Sequence, residues 1–215
     1  MAKLTLLLVD DHAVVRSGFK VLLQTWDDVD VVAEANSGEE ALPLYTLHRP
    51  EVVVMDIAMA GMGGIEATKR LLALDPQARI LALSAHEDSS YAKRALQAGA
   101  LGYLSKRTAP EVLIDALRMV ARHQRFIDPI IAQRMANQQN SSDSHYIDKL
   151  SPREFEVFLA LAKGRSVLDI SQTLGLSAST VGTHLYKVKL KLQLSNQSEM
   201  TLLAMRHGLL DDANP

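Results

Sequence analysis

A chain of 215 residues, 47% hydrophobic and 22% charged, has enough apolar surface for a sizeable core and too much of it for a disordered segment. It contains no cysteine, which excludes disulfides, thiolate metal centres and cysteine nucleophiles. No apolar run approaches the ~18–20 residues of a membrane helix, and Met1-Ala2-Lys3 leads into a strand pattern rather than a signal peptide, so a cytoplasmic protein without membrane contact is expected.

Strand patterns lie at 4–9, 29–35, 51–55, 79–84 and 101–104, and helix patterns near 12–25, 38–48, 64–74, 88–98 and 110–123. Five alternations at this spacing predict βαβ units around a doubly wound, five-stranded parallel sheet. The apolar runs Leu4–Val9 and Val52–Met55 lead directly into Asp10-Asp11 and Asp56. Buried parallel strands put such acids at the carboxyl edge of the sheet, where open α/β sheets bind ligands. Clustered carboxylates repel one another unless a cation neutralises them, and hard oxygen donors suit Mg²⁺. Taken singly, each acid also reads as a helix cap or turn residue, and Lys106 as a solvated lysine.

Past residue 122 the character changes. A short helix over 129–138 gives way to a polar run, Asn137 to Ser144, which has nothing to bury and reads as a flexible linker. Residues 149–215 then read as a separate all-α domain of four helices. Ser151-Pro152-Arg153-Glu154 has the capping-box arrangement with proline at the first helical position, and Gly164 stops that helix. A short helix over 167–174, the turn Gly175-Leu176-Ser177 and a third helix running to about Leu192 form a helix-turn-helix. A fourth, over 196–207, ends at Gly208.

Charge separates the two halves. Residues 1–120 carry 12 Lys and Arg against 16 Asp and Glu, whereas residues 149–215 carry 8 against 6. The mildly basic rear suits nucleic acid as a partner of that half, although its basic excess is small. On the third helix of that half, Val181, Leu185, Val188 and Leu192 form a stripe that must pack inward. The candidate DNA contacts are Ser179, Thr180, Gly182, Thr183, Tyr186, Lys187 and Lys191. Thr183 and Tyr186 sit at the groove-facing centre and Lys187 at its flank.

These residues also carry a family resemblance. Asp10-Asp11, Asp56-Ile57-Ala58-Met59 with Gly64, Ser84 after the fourth strand and Lys106 after the fifth resemble a response-regulator receiver domain, flavodoxin-like in fold, over residues 1–122. Leu150-Ser151-Pro152-Arg153-Glu154, Gly164, Ile170-Ser171, Leu174-Gly175-Leu176-Ser177, Thr180-Val181, His184 and Lys191-Leu192 resemble a LuxR-type helix-turn-helix over 149–215, with 123–148 between as linker. Together they resemble a NarL/FixJ-family response regulator.

The resemblance implies that Asp56 accepts a phosphoryl group from a sensor histidine kinase. It implies that Asp10, Asp11, Asp56 and the Ala58 backbone carbonyl hold Mg²⁺, that Ser84 and Lys106 contact the phosphate, and that Tyr103 is the switch aromatic. It further implies a homodimer on operator half-sites when phosphorylated, paired through Met200, Leu203 and Ala204. No general base or substrate pocket stands apart from these residues, so the chain is not expected to be an enzyme. Two departures stand out. Ala60 occupies the place of the usual proline, predicting a looser loop after Asp56, and no proline follows Lys106. His86, two residues past Ser84, is expected to shape access to the site.

Overall fold

The structure is a computed structural model that describes residues 3–85, 89–138, 147–207 and 209–210. The chain forms two compact units, Met1–Ala132 and Gln133–Pro215.

In the first unit β1 (Leu4–Val9), β2 (Val29–Ala35), β3 (Val52–Asp56), β4 (Ile80–Ser84) and β5 (Gly102–Ser105) alternate with α1 (Ala13–Leu23), α2 (Gly38–His48), α3 (Gly64–Leu74), α4 (Ser89–Gln97) and α5 (Pro110–Ala121). The strands are parallel and, with β6 (Phe126–Ile127) at one end, sit in the order β2-β1-β3-β4-β5-β6. Period-two alternation sorts their side chains. Leu6, Leu8, Val52, Val54, Leu81, Leu83 and Leu104 pack with Leu23 of α1 and with Leu113, Ile114 and Leu117 of α5. The opposite face, with Leu7, Val53, Met55, Ala82 and Tyr103 all fully buried, lies on the side of α2, α3 and α4.

The sheet has a sixth strand, not the five expected. β6 (Phe126–Ile127) pairs with β5 through Gly102↔Phe126 and Tyr103↔Ile127. Two residues are too few to show alternation, and the turn that feeds the strand uses a non-glycine residue, His123 at φ 59°. Gly102 permits the pairing, since a Cβ there would lie 2.9 Å from the Phe126 carbonyl oxygen. The first unit therefore continues to Ala132, past the boundary expected at residue 122. α6 (Pro129–Gln138) takes up Asn137 and Gln138, the start of the polar run; residues 139–144 of that run, like His86 and Gly208, lie outside the described residues.

After a 3-10 turn, Ile147–Lys149, the second unit contains α7 (Pro152–Ala162), α8 (Val167–Leu174), α9 (Ala178–Leu192) and α10 (Gln197–Arg206). The capping box at Ser151 and Glu154 is formed in both directions, and Ser166 with Asp169 makes a second one on α8. Gly175, at φ 62°, supplies the left-handed cap that turns α8 toward α9. Phe155, Phe158, Ile170, Val181 and Val188 are fully buried and form the core.

Met200 and Ala204, expected on a pairing surface, belong to that core as well, at 1% and 0% exposure. α10 packs on α7 with this face, because the apolar stripe of a short helix is first claimed by its own domain. Leu203 is half-buried. The outward apolar residues of α10 are Leu202 and Met205, 56% and 45% exposed.

Candidate functional site

The register of the sheet brings the acids together. Val9 of β1 pairs with Met55 of β3, so the next residues, Asp10 and Asp56, emerge side by side at the carboxyl edge. Asp56 pairs with Leu83, which places Ser84 at the same edge, and Ser84 pairs with Ser105, the residue before Lys106. Asp10, Asp56 and Ser84 are 5%, 2% and 0% exposed. Tyr103 lies wholly inside the sheet face. α3 approaches so closely that a Cβ on Gly64 would fall 1.9 Å from the Asp56 carbonyl oxygen.

Lys106 binds the cluster together. Its Nζ donates to Asp10 Oδ2 at 2.6 Å and stands 2.8 Å from Asp56 Oδ2. Burial pushes the Asp56 carboxyl above its usual range; the Lys106 ammonium pulls it down, Asp10 adds to the rise, and the net direction is up. Burial would lower Lys106, but the Asp56 and Asp10 carboxylates outweigh it and hold the ammonium protonated. A half-buried cation between two acids is thus maintained at neutral pH.

The remaining contacts orient the acids. Asp10 Oδ1 accepts from the His12 N–H at 2.8 Å and Asp56 Oδ1 from the Ala58 N–H at 3.1 Å, so both also serve the local turns. Asp11 Oδ2 accepts from the Ala60 N–H at 2.9 Å, and its Oδ1 lies 2.7 Å from His12 Nδ1. Ligand atoms of Asp10, Asp11, His12 and Asp56 all fall within 4.8 Å of one another. Asp11 Oδ1 and Asp56 Oδ2 are buried oxygens lacking a well-aligned hydrogen bond, which leaves them able to accept a cation. A cluster of carboxylate oxygens of this kind fits a small hard ion such as Mg²⁺.

In the second unit the third helix of the helix-turn-helix divides as its periodicity requires. Val181, Val188 and Leu192 are buried and Leu185 is half-buried, whereas Ser179, Thr180, Gly182, Thr183, Tyr186 and Lys187 are exposed. Tyr186 is 68% exposed. A Cβ on Gly182 would meet nothing within 4 Å, so packing does not require glycine there. The Thr183 hydroxyl donates to the Ser179 carbonyl at 3.1 Å.

Lys191 behaves otherwise. Its Nζ donates to Glu154 Oε2 at 2.6 Å and to the Lys149 carbonyl at 3.2 Å. In this geometry the ammonium ties α9 to the start of α7, a role that the reading of Lys191 as a DNA contact did not include.

Two family models match, one within each unit. "Response regulator receiver domain" matches residues 6–118, and "Bacterial regulatory proteins, luxR family" matches residues 148–204. The response regulator GacA of Pseudomonas protegens is 42% identical over 207 residues, covering 95% of this chain and 97% of its own. The chain belongs to the NarL/FixJ family of two-component response regulators. Response regulator UvrY of Escherichia coli is 39% identical over 209 residues, covering 96% and 95% of the two chains. Among solved structures, response regulator ChrA of a heme-sensing two-component system is 31% identical with a TM-score of 0.56, covering 98% and 100%. A LuxR-family regulator from Aurantimonas is 38% identical with a TM-score of 0.62, covering 65% of this chain and all of that one.

This response regulator holds site partners that its sequence did not reveal. Arg16 of α1 donates through one Nη to the Asp10 carbonyl at 2.7 Å and through Nε to Glu34 Oε2 at 3.3 Å, bracing the turn that carries the acids. Nothing in the local pattern marks Arg16 apart from other helical arginines. His12 stands next to Asp11 in the chain, and that adjacency was a usable signal for the fourth member of the cluster.

Proposed function

We propose that Asp56 is the phosphoacceptor, and that a phosphoryl group reaching it from the phosphohistidine of a sensor kinase controls DNA binding by the second unit. The observation that carries this reading is the convergence of Lys106 Nζ on Asp10 and Asp56 at 2.6 and 2.8 Å, at the sheet edge where an in-line donor can approach. Asp10, Asp11, Asp56 and the Ala58 backbone carbonyl are the groups that would hold Mg²⁺, whose charge offsets that of the transferring oxygens. In the transfer an Asp56 carboxylate oxygen attacks phosphorus as the bond to the kinase histidine breaks. Lys106 then turns from the carboxylate to a phosphoryl oxygen, and the Ser84 hydroxyl donates to that group. Tyr103, one strand over and already packed inward, holds the space that Ser84 vacates. A regulator of this kind works in the cytoplasm, where kinase domain and DNA are both accessible.

Incubation with acetyl phosphate and Mg²⁺ should add one acid-labile phosphoryl group per chain, detectable by intact mass. Asp56→Asn should abolish it. Undiminished labelling of that variant would refute the assignment.

On the DNA side, one recognition helix reads only a few base pairs, and a domain this weakly basic gains little from phosphates alone. Phosphorylation is therefore proposed to pair two copies on adjacent half-sites, through the α10 face that bears Leu202 and Met205 rather than Met200 and Ala204. Thr183 and Tyr186 should carry sequence discrimination: Thr183→Ala or Tyr186→Ala should narrow the gap between cognate and mutated operators by ~1–3 kcal/mol per lost base contact. Lys187→Ala should weaken all sequences alike and flatten the salt dependence by about one unit of slope. Titrations on matched and scrambled sites at several salt concentrations check both; a change in base preference from Lys187→Ala alone would rotate the helix in the groove.

A further inference from the structure

The loop between β3 and α3 hangs its amides on two carboxylates. The Ala60 N–H donates to Asp11 Oδ2 at 2.9 Å, and the Met62 N–H donates to Glu39 Oε1, in the first turn of α2, at 2.8 Å. Between them Gly61 takes φ 69°, a left-handed conformation open to glycine, and lies so near Glu39 that a Cβ would stand 2.8 Å from its Oε1. Asp11 is thereby held through Oδ2, while its Oδ1 stands 2.7 Å from His12 Nδ1 with no hydrogen bond of its own. A proline at position 60 has no N–H and could not make the bond to Asp11. The contact is a property of the alanine in this chain.

We propose that the Ala60 N–H is a positioning donor that couples this loop to the metal-side carboxylate, so that the loop and a divalent cation draw on the same charge of Asp11. The bond fixes Asp11 in place and lowers its affinity for the cation; cation binding in turn weakens the bond and frees residues 60–62 from their Asp11 anchor. Linkage makes the two effects reciprocal: whatever the donor costs the cation, the cation costs the donor. The charge-assisted character of an N–H to carboxylate bond makes the exchange large enough to measure. The inference rests on the reading of the acidic cluster as an Mg²⁺ site.

Amide exchange on the ¹⁵N-labelled full chain tests the bond first. Without Mg²⁺ the Ala60 amide should exchange at least about tenfold more slowly than an open loop amide, and Asp11→Ala should remove that protection. Added Mg²⁺ should speed Ala60 exchange in the wild type. By calorimetry, Ala60→Pro should bind Mg²⁺ at least about tenfold more tightly than wild type, the scale of one hydrogen bond to a charged group, and Ala60→Gly, which keeps the N–H, should bind as wild type does.

Fast exchange at Ala60 without metal, protection unchanged by saturating Mg²⁺, or equal affinity shifts in the proline and glycine variants would each overturn the proposal. If Ala60→Pro fails to fold, the wild-type exchange measured with and without Mg²⁺ decides. A wild-type chain that binds no Mg²⁺ would sink the metal reading and the coupling with it, yet Ala60 protection would still report the bond, so the two failures look different.

Discussion

Gly64→Ala should destabilise the receiver unit by about 3 kcal/mol and suppress phosphorylation of the molecules that still fold. A methyl group at Gly64 would lie 1.9 Å from the carbonyl oxygen of Asp56, 2.8 Å from its carbonyl carbon and 2.9 Å from the Ile57 Cα. All three are backbone atoms of the strand end that carries Asp56, so no side chain can swing away to make room. Either α3 lifts from the sheet, losing the burial of Ile65, Ala67 and Leu71, or the end of β3 shifts and moves Asp56 away from Lys106. Both routes damage the site, the first through stability and the second through geometry. Denaturant unfolding followed in the isolated variant, paired with acetyl phosphate labelling, separates them. Wild-type stability together with wild-type labelling would show that the close approach of α3 is not needed.

Lys191→Met should cost the DNA-binding unit about 1–3 kcal/mol, because it leaves the carboxylate of Glu154, 4% exposed, without its cation. Burial alone would push the Glu154 carboxyl up; the Lys191 ammonium and the Ser151 N–H outweigh burial and hold it below the usual glutamate range. A lowered folded-state value means that this contribution is fully present above the ordinary glutamate value and is lost as pH falls through the lowered one. In wild type, therefore, acid should erode the second unit below the usual carboxylate range. In Lys191→Met burial is less opposed, and protonating Glu154 should relieve part of the damage, so the gap between variant and wild type should narrow as the solution is acidified. Thermal melts across a pH series check this. If the variant instead melts like wild type at neutral pH while its DNA affinity loses about one unit of salt slope, Lys191 is a phosphate contact after all.

The alternation of apolar runs and amphipathic stretches was enough to read β1 to β5 and α1 to α5, since long periodic elements advertise themselves. Ser151, Ser177 and Gly175 marked helix ends because capping is local chemistry, decided within three or four residues. The acids of the site were legible for a related reason: buried parallel strands have one ligand-facing end, and Asp10, Asp11 and Asp56 follow such strands directly. What escaped was set by partners distant in the chain. Lys191 reads as one of three lysines on a helix until Glu154, 37 residues earlier, is seen beneath it. Met200 and Ala204 read as a surface stripe until α7 covers them. Arg16 has no local mark, and β6 is a strand only because β5 lies beside it.

That sixth strand has a bearing on how copies of the protein meet. An open parallel sheet is bounded by two edges, and each offers unpaired amides and carbonyls to any passing strand. Here one edge ends in β6, two residues long, too short to template an incoming chain. The other, β2, presents Asp30 to solvent and carries Glu34, gripped by Arg16 and Lys20 of α1 at 3.3 and 2.6 Å; fixed charge along an edge deters strand addition. Continuous sheets across two molecules, and the fibrous aggregation that begins that way, are thereby discouraged. Any self-association would then fall to helical surfaces, which can be made and unmade without threading one sheet into another.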